Sequence, residues 1–187
     1  VMIEPVQGEG GARDAHDEYL RGVREAADEF GVLVIADEVQ SGIGRTGTLF
    51  AYQTSGIRPD IIAMAKGLGG GFPVGAVIAS AEVGDAMTPG THGSTFAGNP
   101  LAMAVAEVIL DEVSAPGFLD DVNRRGAVLH AALRGVAENH PEEIVEVRGR
   151  GFLCGVRLAD HLPAGDIVAA LRAEHVLTAP AAENTVR

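Results

Sequence analysis

The 187-residue chain has a single cysteine, Cys154, no tryptophan and only 4% aromatic residues. One cysteine excludes an intramolecular disulfide, and within the strand-like stretch FLCGVRL it reads as a small core residue. Basic residues are also scarce, 14 against 26 acidic ones, for a formal net charge of -12. No basic stripe and no basic-aromatic alternation occurs, which sets aside nucleic acid and anionic membrane surfaces as partners and obliges any anionic substrate to find a local basic site. Long apolar runs are missing too. Val32 to Ala36 and Ile61 to Ala65 fall far short of a bilayer span, and no charged-then-apolar leader opens the sequence, so a cytoplasmic setting is expected. His16, His92, His130, His140, His161 and His175 are scattered without a pair at metal-ligand spacing; they read as surface or loop residues, and no metal is expected.

What the chain does have is apolar content, 47%, enough for one sizeable core or for one domain and part of another. The opening VMIEPVQGEGG reads as the end of a buried strand, as though the chain begins inside a domain. From Asp14 to Phe30 the residues Tyr19, Leu20, Val23, Ala27 and Phe30 recur at helical spacing, with Gly31 as the stop. VLVIA then has the pattern of a strand buried on both faces of a parallel sheet, DIIAMA repeats it, and PVGAVIAS gives a third strand-like run. Asn99 as N-cap with Pro100 at the first helical position opens another helix. Beyond Ser114–Gly117 the composition becomes more charged. A helix with Val122, Leu129, Leu133 and Val136 on one face, strands at EIVEV and FLCGVRL, and a short helix near Asp166 to Glu174 are expected there. Strands separated by helices indicate an α/β layered domain, with a domain boundary near Val113.

In open parallel sheets ligands bind beyond the carboxyl ends of the strands. Asp37 and Glu38 follow the first of these strands, and Lys66 follows the second, held by the tight glycine stretch 67–71. Burial at such a point would favour the neutral amine, which is the nucleophile needed to form an imine; the plainer reading is a lysine that snorkels to solvent. A carboxylate on the neighbouring strand end could keep the ring nitrogen of pyridoxal phosphate protonated. The plainer readings for Asp37 and Glu38 are helix capping or loop solvation.

The stretches EPVQGEGG, ADEVQSGIGRTG, AKGLGGGFPVGA and THGSTFAGNPLA, in that order and spacing, resemble the class III, or ω-amino acid, aminotransferases, which are pyridoxal-phosphate enzymes of fold type I. The resemblance runs the length of the chain. It implies residues 1–113 as the C-terminal part of a large cofactor-binding domain and 114–187 as part of a small α+β domain. It further implies that Lys66 holds the cofactor as an internal aldimine and then shuttles a proton. Asp37 would pair with the ring nitrogen, Val39 would pack on a ring face, and Gln40 would bond near the ring hydroxyl. Glu38 belongs to the same cofactor-binding motif without an assigned contact. Thr95 is expected to reach the phosphate of the neighbouring subunit of a homodimer, and Ser94 to touch substrate. Arg187 would bind the α-carboxylate of glutamate and 2-oxoglutarate, a task suited to the bidentate geometry of Arg. Glu9 would pair with Arg187 when an amine-bearing substrate is in place and release it to a dicarboxylate.

Within the family the motifs are most similar to those of enzymes acting on N-acetylornithine, with ornithine next and 4-aminobutyrate as the harder alternative; an aminomutase is a weaker competitor. The family places a phosphate-binding loop, a ring-stacking aromatic and several strands before EPVQGEGG. Exposed sheet edges and apolar faces are therefore expected in this chain, and the alternative to a catalytic reading is a non-catalytic piece that needs a missing segment or partner.

Overall fold

The structure is a computed structural model describing residues 1–187. Strands β1 (Met2–Ile3), β4 (Ile35–Asp37), β5 (Ile61–Met64) and β6 (Ala76–Ala79) form one sheet in the order β1-β4-β5-β6. Between them come β2 (Val6–Gln7), β3 (Arg13–Asp14) and helix α1 (Asp17–Phe30). β1, β4 and β5 run parallel, with Ile35 opposite Ile61 and Asp37 opposite Ala63. β6, the third strand-like run, is antiparallel to β5, so the sheet is mixed, with its antiparallel strand at the edge.

Helix α1 starts at Asp17, and Gly31 ends it in the left-handed conformation, φ 63°. Its buried residues are Leu20 and Ala27, whereas Tyr19 and Phe30, expected on the core face, are 60% and 73% exposed. The strand expected at Val32–Ala36 is displaced. The Val32 amide donates back to the Ala27 carbonyl as part of the helix end, so Val32 and Leu33 are exposed and the strand begins at Ile35. Val34 is fully buried, its amide donating to the Asp60 carboxylate at 2.7 Å.

After β6 come α2 (Ala81–Asp85), α3 (Pro100–Ser114) and α4 (Phe118–Asn139). Asn99 caps α3 as expected, its side-chain oxygen accepting from the Ala102 amide at 2.9 Å. A core of Ile43, Phe50, Ile62, Met64, Leu68, Ala106 and Val113 binds the first sheet to α3, and Phe118 and Leu119 of α4 pack against it. On α4, Val122 is buried but Val136 is 49% exposed. His130, expected on the surface, is buried there with Nε2 3.2 Å from the Gly151 carbonyl oxygen. β7 (Ile144–Arg150), β8 (Leu153–Leu158), α5 (Ala164–Ala173), β9 (Pro180–Ala181) and β10 (Thr185–Val186) complete the chain. The second sheet has the order β7-β8-β10-β9, all antiparallel, with Leu158, Ala164, Val168 and Val186 in its core. Cys154 in β8 is half-buried, and that burial pushes its thiol up and away from the reactive thiolate.

Arg150 at the end of β7 ties the second sheet to the separate antiparallel pair β2–β3 and to the 3-10 helix Ala51–Ser55. It pairs with both oxygens of Asp14 in β3 and donates to the Thr54 hydroxyl at 2.6 Å. Asn123 of α4 donates to the Gly47 carbonyl at 2.9 Å, and the Phe152 amide to the Arg45 carbonyl at 2.9 Å. The GIGRTG stretch is thus the socket on which the second unit sits. No helix is long and apolar enough to cross a membrane.

Candidate active site

Asp37 closes β4 and Lys66 lies just beyond β5, the adjacent parallel strand. The two side chains that sequence reasoning paired are therefore delivered to the same end of the same sheet. Asp37 is half-buried, and one carboxylate oxygen accepts from the Val39 amide at 3.0 Å. That contact holds the carboxylate against the turn and leaves its other oxygen free. Lys66 has φ +44°, opening a single turn of 3-10 helix over Lys66–Gly69. A positive φ in a residue with a Cβ is a strained conformation of the kind that collects at functional sites. Lys66 is exposed in this chain, in line with the plainer reading of a lysine that reaches solvent, at the strand end beside a glycine-rich turn. It is also the chain's only lysine, a signal in the sequence that spacing alone did not use.

Glu38 behaves differently from its neighbour. It is fully buried, its oxygens accepting from the Ser41 hydroxyl at 2.6 Å and the Tyr52 amide at 2.9 Å. Burial pushes its carboxyl up, against the pull of these donors and of the Arg150 charge. The turn after β4 thus leaves Asp37, Val39 and Gln40 half-buried and sends Glu38 into the interior.

Glu9, Gln40 and Arg187, far apart in sequence, meet in one cluster. Arg187 pairs with the Glu9 carboxylate and donates to the Gln40 oxygen at 2.6 Å, and the Gln40 nitrogen reaches Glu9 at 3.5 Å. Backbone bonds fix the frame. The Ala182 amide donates to the Glu9 carbonyl at 2.9 Å, and Ala179 and Arg187 exchange paired bonds at 2.9 Å. The Arg187 Nε is buried with no partner, leaving part of the guanidinium unsatisfied. Ser94 and Thr95 lie in an exposed segment before α3 and are not brought against Asp37 or Lys66 within this chain.

A cavity of about 1040 Å³ is lined by Glu4, Asp14, Asp37 and Arg148 among others. It reaches Asp37 from the β1 side of the sheet, while Lys66 lies one strand over on the other side, and for that reason the cavity misses the lysine. Pyridoxal phosphate fits this donor set. A lysine amine and a carboxylate with one open oxygen stand at one sheet end, with the Gln40 amide in the turn that follows, where such a ring needs an anchor, a counter-charge and a hydrogen-bonding edge.

The fold and site define a class. The family model for aminotransferase class III matches residues 1–187, and the chain belongs to that family, with its α/β fold. Among curated relatives, the acetylornithine aminotransferase of Rhodobacter capsulatus is 49% identical over 187 residues, covering 100% of this chain and 47% of that protein. The acetylornithine aminotransferase of Brucella melitensis is 48% identical, covering 100% and 46%. Among solved structures, the ornithine aminotransferase from Toxoplasma gondii superposes with TM-score 0.92 at 38% identity, covering 100% of this chain and 45% of that one. The N-acetylornithine aminotransferase from Stenotrophomonas maltophilia gives 0.88 at 37%, covering 100% and 49%. The chain spans about half the length of the curated relatives it matches.

Proposed function

We propose that the protein containing this chain is a pyridoxal-phosphate-dependent aminotransferase that moves an amino group from N-acetylornithine, or a related ω-amine such as ornithine, to 2-oxoglutarate. The observation that carries this reading is the delivery of Asp37 and Lys66 to the carboxyl ends of adjacent parallel strands. When bound, pyridoxal phosphate would supply an electron sink for charge developing at the substrate carbon that bears the transferred amine. Asp37 would keep a proton on the ring nitrogen, Val39 would pack against the ring and Gln40 would hold its hydroxyl edge. Lys66 would anchor the cofactor through Nζ and carry the proton to and from that substrate carbon. Arg187 takes the substrate α-carboxylate, and Glu9 occupies that arginine when no second carboxylate is present; their ion pair supports this pairing.

In this reading residues 1–113 complete a large domain and 114–187 begin a small one. Thr95 serves across the interface of a homodimer, at the phosphate of the neighbouring subunit, and Ser94 touches the substrate. The names of the relatives support N-acetylornithine as donor, and with it a place in arginine biosynthesis in the cytoplasm. The exposure of Lys66, Ser94 and Thr95 favours a second reading for the 187 residues alone, that of a non-catalytic part that works only with the remainder of the protein.

One experiment separates these. The full-length protein and the 187-residue chain are each incubated with pyridoxal phosphate, reduced with borohydride and mapped by peptide. An adduct on Lys66 in the full-length protein alone supports both statements, and an adduct in both proteins overturns the second. Absence of an adduct from the full-length protein overturns the first. Steady-state rates of the full-length enzyme with N-acetylornithine, ornithine and 4-aminobutyrate then test the donor; a preference for 4-aminobutyrate would overturn our assignment.

A further inference from the structure

We infer that Glu38 is a positioning residue for Asp37 and Gln40, a buried carboxylate whose fixed set of donors sets the turn that aims both side chains. This rests on the functional reading above. Glu38 is 0% exposed, and a carboxylate there is tolerated only if donors replace water. Its side chain accepts from the Ser41 hydroxyl at 2.6 Å and the Tyr52 amide at 2.9 Å, and its backbone carbonyl accepts from Gly42 at 2.9 Å while its amide donates to the Ala63 carbonyl at 2.9 Å. The Glu38 backbone is thereby pinned to β5 on one side and its side chain to the 3-10 helix at Ala51–Ser55 on the other. Asp37 and Gln40 flank this anchor, so small rotations of the turn move both. Ser41 is itself buried, its carbonyl receiving the Thr46 hydroxyl at 3.2 Å.

The anchor also reaches the second sheet. The Arg150 charge acts on the Glu38 carboxylate, and its guanidinium is locked to Asp14 and Thr54. The position of β7 is thus communicated to the turn through charge and through the shared 3-10 helix.

Glutamine in place of Glu38 keeps the shape but removes one acceptor. With its oxygen on the Tyr52 N–H, its amide nitrogen faces Ser41, whose hydroxyl must turn to accept and leaves its own proton without this partner, and the negative charge on which Arg150 acts is gone. The test uses the full-length enzyme with Glu38→Gln, Ser41→Ala and, as a control for general destabilisation, Val168→Ala in the core of the second sheet. We expect Glu38→Gln to lower kcat by roughly ten- to a hundredfold with KM changed much less, as for other residues that orient a functional group. The pH dependence of the bound-cofactor absorbance should shift, and the Gly42 amide should lose hydrogen-exchange protection in the cofactor-free protein. Ser41→Ala should show the same changes in smaller measure, and Val168→Ala neither the kcat loss nor the spectral shift. Wild-type kcat and absorbance in a folded Glu38→Gln enzyme overturn the inference. If Glu38→Gln fails to fold, unchanged kcat and absorbance in Ser41→Ala overturn it. A wild-type enzyme that takes up no cofactor overturns the functional reading itself, and this inference with it.

Discussion

Two glycines in one helix should respond to the same substitution with opposite sign. Gly126 and Gly135 both lie within α4, and in a helix interior alanine is better than glycine by about 1 kcal/mol because it restricts the unfolded chain. At Gly135 nothing lies within 4 Å of an added Cβ, so Gly135→Ala should stabilise by about 0.5–1 kcal/mol. At Gly126 an added Cβ would meet the backbone of Gly151, 2.9 Å from Cα and 3.2 Å from the carbonyl carbon and oxygen. None of these atoms is the end of a flexible side chain. The turn between β7 and β8 would have to move, although the Phe152 amide holds it to the Arg45 carbonyl at 2.9 Å. Overpacking of that kind costs about 1–3 kcal/mol, which outweighs the propensity gain and leaves Gly126→Ala destabilised by up to about 2 kcal/mol. Urea denaturation of the two full-length, cofactor-free variants beside wild type reads the difference directly, with the slope unchanged. If Gly126→Ala is as stabilising as Gly135→Ala, the close docking of α4 on the β7–β8 turn is wrong.

Gly8→Ala places a Cβ 2.1 Å from the Gln40 side-chain oxygen; the flexible Gln40 should swing away with little loss of stability, and KM for 2-oxoglutarate should rise severalfold. An unchanged KM refutes the contact. Arg187→Lys replaces a fork that reaches both Gln40 and Glu9 with a point charge. Loss of one charge-assisted bond should raise KM for 2-oxoglutarate about tenfold or more, and equal KM values would remove Arg187 from the substrate site. Burial pushes the Asp60 carboxyl up, but bonds from the Arg24 guanidinium and the Val34 amide outweigh it and hold it below the usual carboxylate range. A carboxyl depressed on folding stabilises the native state at neutral pH, and that contribution is lost as pH falls below about 4 towards its folded value. The stability gap between wild type and Asp60→Ala should therefore narrow in acid, and a gap independent of pH would contradict the sign.

Local signals carried well. Asn99-Pro100 marked the start of α3, Gly31 marked the end of α1, and Asp37 and Lys66 were legible as strand-end residues because each follows an apolar run that the sheet core requires. The misplaced features share a cause. Val32 and Leu33 look like strand by composition, yet the Val32 amide satisfies the helix end first; periodicity counts apolar residues without knowing where backbone donors go. β6 is antiparallel although its apolar run is indistinguishable from that of a parallel strand. The opening run marked β1, although Met2, expected to be buried there, is 61% exposed, and the two-residue strands β2 and β3 are too short to leave a pattern. Arg150 meets Asp14 across 136 residues, and a charge pair at that separation has no local signature. Arg187 and Glu9, 178 residues apart, were paired through family resemblance, and no spacing rule would have joined them.

The two halves of the site are built in different ways, which bears on how each can vary. Asp37 and Lys66 depend on one strand pairing, β4 with β5, and on the core beneath it, so their relative placement is set by sheet register, which shifts only by whole residues. The Glu9, Gln40 and Arg187 cluster is assembled from a loop, a turn and the end of β10, and it exists only while the second sheet is docked. Docking combines the buried apolar contact of Val6, Ala51 and Leu153 with polar contacts at Arg150, Asn123 and Phe152. On the proposed function, the pair assigned to the cofactor rests on one strand pairing, and the cluster assigned to the substrate rests on the junction between the second sheet and the rest of the chain. Substitutions at that junction would then reach the cluster of Glu9, Gln40 and Arg187 first and leave Asp37 and Lys66 in place.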